Sequence, residues 1–102
     1  MKPGTQIVYV PSHVGKPDDE SVYGERGVEF GFVTSQTSLD VVANKRLVFC
    51  RYWSSLATAG EELRTMANSE ATPADRIAEF ESVEQTVVND WMRRLGYCSY
   101  VA

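Results

Sequence analysis

Histidine occurs once in the 102-residue chain and cysteine twice, and that scarcity removes whole chemistries. A structural zinc site takes about four clustered nitrogen and sulfur ligands, more than His13, Cys50 and Cys98 can supply, so no metal and no cofactor is expected. Two cysteines allow one bridge, but Cys50 lies in the apolar run Leu47-Val48-Phe49-Cys50, where a thiol acts as a small hydrophobe. Both cysteines are therefore expected as reduced, buried thiols. No apolar stretch approaches the roughly 18–20 residues of a membrane span. The apolar residues before Pro11 are too few for a secretory signal, which leads to an expectation of a cytoplasmic protein with no membrane partner. A basic excess is lacking too: 10 Lys and Arg face 14 Asp and Glu, a net charge of −4. Nucleic-acid affinity comes mainly from neutralised phosphates, so nucleic acid is a secondary expectation. Neither a GxGxxG nor a GxxxxGK[ST] phosphate loop occurs.

What is present is globular. Hydrophobic residues make up 43%, aromatics 11% and charged residues 24% of the chain, enough apolar surface to close one core in a single domain spanning 1–102. The charge is uneven. Residues 1–60 hold six acids and six bases, whereas residues 61–90 hold eight acids against Arg64 and Arg76. Acids at helical spacing read first as solvated faces.

The first half has β character. Gln6-Ile7-Val8-Tyr9-Val10 is β-branched and aromatic and stops at Pro11. Ser12 to Arg26, with glycines, a proline and Asp18-Asp19-Glu20, reads as a long exposed loop. Gly27 to Ser35 forms a second strand, its glycines suggesting a bend or bulge. Polar residues from Gln36 to Asp40 read as a break. Asp40 to Ala43 reads as a short strand, Asn44-Lys45 as a turn, and Leu47 to Trp53 as a further strand. Helical signals follow. Thr58-Ala59-Gly60-Glu61 has capping-box form ahead of Leu63 and Met66. Thr72-Pro73-Ala74-Asp75 reads as an N-cap with proline at the first helical position, Ile77 and Phe80 being the buried face. Ser82-Val83-Glu84-Gln85 is a second capping box, followed by Val83, Val87, Trp91 and Leu95 at four-residue spacing, with Gly96 as the C-terminal cap. Tyr97 to Val101 adds a last strand.

The order Pro3-Gly4-x-x-Ile7-Val8-Tyr9-Val10-Pro11-x-His13, then Glu29-x-Gly31-x-Val33-x-Ser35, then Val48-Phe49-x-Arg51-Tyr52 resembles small accessory proteins encoded by tailed bacteriophages and prophages. The resemblance covers roughly residues 3–53, with a less specific match at Leu63-Arg64-x-x-Ala67-Asn68-Ser69-Glu70. It implies an N-terminal barrel like an SH3 or KOW domain and a phage origin, and it implies no reaction. Cys50 departs from the usual valine, and the extension beyond Thr72 is longer than a barrel requires. The fold expected is α+β: a small antiparallel SH3-like β-barrel over 3–53, packed against two or three C-terminal α-helices within 58–96.

No catalytic set emerges. Ser12 and His13 are neighbours in sequence and would point to opposite sides of a strand. A Cys50–His13 pair would place a thiolate in the core, and Asp18, Glu20 and Glu25 fit a calcium loop only loosely. An unrecognised small hydrolase built on His13 is the enzymatic rival to this non-enzymatic reading. Binding residues are sought among aromatics and arginine, which dominate interface energetics: His13, Arg51, Tyr52, Trp53 and Tyr9. In a strand Arg51 and Trp53 share one face and Tyr52 takes the other. Exposed, the first two make a contact patch; beneath helices, Trp53 is core, as is Trp91, and core is the favoured reading of both. The acids near Glu79, Glu81 and Glu84 are a second candidate surface. The function expected is that of a binding protein acting on a host or viral protein inside the bacterial cell, in host takeover or counter-defence. The alternatives are nucleic-acid or nucleotide binding by the barrel and a minor virion component, with homo-oligomerisation as a further option.

Overall fold

The apolar, β-branched segment after Gly4 forms β1 (Gln6–Tyr9), and Pro11 stands just beyond its end, where its missing N–H rules out further pairing. The structure, a computed structural model, describes residues 1–40, 45–53 and 70–97. Next come a 3-10 turn (Glu20–Val22), β2 (Glu29–Asp40), β3 (Lys45–Trp53), β4 (Glu70–Pro73), a second 3-10 turn (Ala74–Arg76), β5 (Ile77–Glu79) and α1 (Gln85–Arg94). The strands form one antiparallel sheet in the order β4-β3-β2-β1-β5. The protein is thus a small α+β fold with a five-stranded antiparallel sheet and, among the described residues, one α-helix.

The chain path forces the sheet to curl. β4 and β5 are its opposite edges, four strand spacings apart, or about 19 Å across a flat sheet. Pro73 is in register with Ser38 through Leu47, and Ile77 with Glu29 through Tyr9, which adds roughly 30 Å along a flat β2. Yet only Ala74–Arg76 separates the two edges, and four Cα steps reach about 14 Å at most. β2 bends where its register with β3 shifts, between Val33 and Ser35 and again between Ser35 and Ser38. The ladder stays open, because β4 and β5 do not pair.

Several expectations change. The polar run Gln36 to Asp40 does not break the strand, because β3 supplies partners as far as Asp40↔Lys45. The irregularity lies after Val33 rather than at the glycines. Gly31 serves close packing instead: a Cβ there would stand 2.0 Å from the Arg51 carbonyl oxygen and 2.8 Å from Tyr52 Cδ1. The helix expected from Thr72 is β4, a 3-10 turn and β5; Pro73 and Thr72 pair with Leu47 and Val48, so long-range ladder bonds override a local capping signal. Of the two or three helices expected, Gln85–Arg94 is described. Of the strand expected over Asp40 to Ala43 and the turn at Asn44-Lys45, Asp40 ends β2 and Lys45 begins β3, the two in register; Val41 to Asn44, the Thr58 capping box and Cys98 to Val101 lie outside the described residues.

The capping box at Ser82 is also displaced. Helix α1 begins at Gln85 with Glu84 as N-cap and no side-chain cap. The Gln6 carboxamide takes the neighbouring backbone instead: its Oε1 accepts from Ser82 N (3.0 Å) and Val83 N (3.1 Å), and its Nε2 donates to Val83 O (2.8 Å). The other end of α1 is as expected. Gly96 adopts φ +83°, Gly96 N donates to Arg93 O and Tyr97 N to Met92 O, the paired bonds of a Schellman stop.

Two cores result, one on each face of the sheet. The inner one joins Ile7, Val33, Val48, Cys50, Tyr52 and Ile77, with Tyr9 and Ala74 of the second 3-10 turn packed against it; among the described residues its buried members come from strands, and it fills the curl. The outer one sets Val8, Phe30, Phe32 and Trp53 against Val88, Trp91 and Met92 of α1, with Val22, Tyr23 and Val28 of the long loop closing one side.

Candidate functional site

The five candidate binding residues do not converge on one surface. His13 is exposed on the turn after β1, its Nε2 3.5 Å from the Cβ position of Gly27. Tyr9 is half-buried against the inner core, its ring 6.2 Å from that of Tyr52. Tyr52 is interior, its hydroxyl 2.6 Å from Thr72 Oγ1, and burial pushes its phenol pKa up. Arg51 and Trp53 are buried as well, at 3% and 0% exposure. Alternation along β3 works as expected, with Tyr52 facing inward and Trp53 outward, but α1 covers the outward face. Trp53 packs 5.5 Å from Trp91 and 6.3 Å from Phe32. The Arg51–Trp53 contact patch is therefore not at the surface, and both tryptophans are core.

Cys50 and His13 are kept apart, one inside the curl and the other in solvent. Burial pushes the Cys50 thiol up to about 12, the opposite of what a nucleophile needs. One acid of the long loop has structural work: Asp19 Oδ1 accepts from Ser21 N (3.1 Å) and Ser21 Oγ (2.6 Å). These bonds hold the Asp19 carboxyl below its usual pKa and cap the 3-10 turn. Among the described residues no three His, Cys, Asp or Glu side chains cluster as a metal site, and no helix is long and apolar enough to cross a membrane.

A concavity does occur, at the second candidate surface: the sequence marks Glu79 and Glu81 there, but not Thr5, Gln6 or Gln85. It is an open cleft of about 440 Å³ lined by Thr5, Gln6, Glu79, Phe80, Glu81 and Gln85. β1 supplies Gln6, the end of β5 supplies Glu79, and the start of α1 supplies Gln85. Glu79 and Glu81, expected on a helix, sit at the end of β5 and in the connection after it; Glu84 is the N-cap of α1. Gln85 Nε2 donates to Gly4 O (2.7 Å) and Asn89 Oδ1 (3.0 Å). The Phe80 ring meets Tyr23 edge-on at 5.2 Å and Phe30 at 5.5 Å. Gln6 and Gln85 are 79 positions apart, so no local pattern could have joined them. No protein-family model matches the chain, and no curated protein and no solved structure matches it either.

Proposed function

We propose that the chain is a non-enzymatic binding protein of phage or prophage origin, built on an SH3-like barrel and engaging a host or viral protein inside the bacterial cell. The observation that carries the reading is the three-residue 3-10 link between opposite edge strands. It curls five antiparallel strands around a core that, among the described residues, comes from the strands, a feature in keeping with small barrels that serve as rigid recognition scaffolds. The segments that resemble the phage group fall on β1, β2 and β3 and on the turns at Gly4 and His13, the three central strands of the sheet, whereas β4, β5 and the link that curls it lie beyond them. Rigid strands with a long connection between β1 and β2 suit recognition, because loops on a fixed frame carry contacts.

The test is a tagged pull-down from bacterial lysate at low and high salt, read by mass spectrometry and by absorbance at 260 nm. A stoichiometric protein that survives high salt supports the proposal. Nucleic acid that elutes with salt overturns it in favour of phosphate binding, and a large self-associated species without a second protein overturns it in favour of a virion component.

A further inference from the structure

The cleft beside β5 has a fixed floor and a charged rim that no described residue neutralises. In the floor, Gln6 is 4% exposed, and its amide is held by Ser82, Val83 and Gln85. Gln85 is held by Gly4 and Asn89, and Phe80 is wedged between Tyr23 and Phe30. These groups need no rearrangement to receive a ligand, which lowers the ordering cost of binding. The rim carries Glu79 and Glu81, both exposed, and neither side-chain carboxylate has a hydrogen-bond or ion-pair partner among the described residues. The described cations nearest in sequence are already engaged. Arg76 donates to the carbonyls of Val10 and Gly15, and Arg93 and Arg94 both pair with Asp90. Glu84, as N-cap, complements the positive end of the α1 dipole, which leaves Glu79 and Glu81 as the uncompensated pair. The open cleft, at about 440 Å³, has room for one long side chain.

We infer that this cleft receives a cationic side chain of the partner protein, arginine in preference to lysine. The guanidinium carries five donors in a planar fork that matches carboxylates, and its weak hydration lets it leave water more readily than an ammonium. Phe80 supplies the apolar wall along which the methylene stem lies. The inference rests on the protein-binding reading above and names the chemistry of its contact.

The test uses the full-length, isotope-labelled protein and three short extended peptides that are identical except for a central arginine, lysine or glutamine. At low salt, saturable NMR shifts are expected at the backbone amides of Glu79, Phe80 and Glu81 and at the side-chain amides of Gln6 and Gln85. Affinity falls from arginine to lysine to glutamine. The double variant E79Q/E81Q, which loses no intramolecular pair and melts with the wild type, weakens the arginine peptide roughly fivefold, as expected for two exposed pairs. Equal binding of the glutamine peptide, undiminished affinity in E79Q/E81Q, or shifts confined to residues 11–28 overturns the inference. The two proposals fail separately. A partner that binds E79Q/E81Q as well as wild type leaves the protein-binding reading standing and removes the cleft. An arginine peptide seated in the cleft, with no partner protein found, does the reverse.

Discussion

The two faces of the sheet are held by different means. The inner core's buried members, among the described residues, come from strands, with small branched side chains around Tyr52, whose hydroxyl meets Thr72. The outer core is aromatic, with Phe30, Phe32, Trp53 and Trp91, and its lid is attached from elsewhere in the chain. Gln6 holds the connection that leads into α1, and Arg76 holds the loop after β1. Volume sets the inner face, where there is no room to relax. Docking sets the outer face, where the helix contributes apolar area and a few side-chain bonds fix its position. Regions secured in the second way open locally at lower free energy.

Removing the lid's main anchor gives the largest effect. Trp91→Ala is expected to cost about 3–5 kcal/mol and to abolish or severely weaken the cooperative transition in urea. A loss under about 1 kcal/mol would show that the helix is an appendage and that the outer core does not depend on it. Gly31→Ala probes the inner packing. Because the added carbon meets a carbonyl oxygen and the Tyr52 ring, strand β3 has to shift, at roughly 3 kcal/mol. That corresponds to a drop in Tm of about 12 °C or more. A near-neutral Gly31→Ala would mean that β2 and β3 are separable at this point.

Gln6→Ala separates the two faces. It leaves the backbone groups of Ser82 and Val83 without their side-chain partner, at about 2 kcal/mol. Amide exchange should quicken in residues 80–95 while β2 and β3 stay protected. Uniform loss of protection across both regions would show one cooperative unit instead. The smallest effect is in pH. Burial pushes the Cys50 thiol up to about 12 from an ordinary 9.0, so the neutral form is favoured in the native protein. Its stabilising contribution is complete below pH 9 and falls as pH rises toward 12. The burial-raised phenol of Tyr52 acts in the same direction. Thermal melts between pH 8 and 11 should decline less steeply for Cys50→Ala than for wild type, and parallel curves would remove Cys50 from the account.

Legibility followed the range of the interactions. Gln6 to Tyr9, the strand through Phe30 and Val33, and Leu47 to Trp53 could be read because a buried strand announces itself by β-branched and aromatic residues. Gly96 could be read because a left-handed helix stop favours glycine. Thr72-Pro73-Ala74-Asp75 was misleading because its capping pattern is local, whereas the bonds from Thr72 and Pro73 to β3 cross about 25 positions. Ser82 misled for the same reason, since Gln6 reached its backbone first. Of the candidate site, His13 stayed at the surface, Tyr9 lay half-buried, and Arg51, Tyr52 and Trp53 went inside. A strand shows that neighbours alternate but not which face will be covered.

An α+β chain with a β-rich first half, a C-terminal amphipathic helix stopped at Gly96, an interior Cys50 and an acidic second half could be read from the residues in order. Each of these follows from side-chain chemistry at short range. Tertiary structure alone decided that Ala74–Arg76 joins opposite sheet edges and so curls the sheet, that α1 covers Trp53, and that Gln6, Phe80 and Gln85 meet beneath Glu79 and Glu81. Those outcomes depend on which distant backbone groups find partners and which apolar faces close on each other, and burial of that kind is a property of the assembled chain.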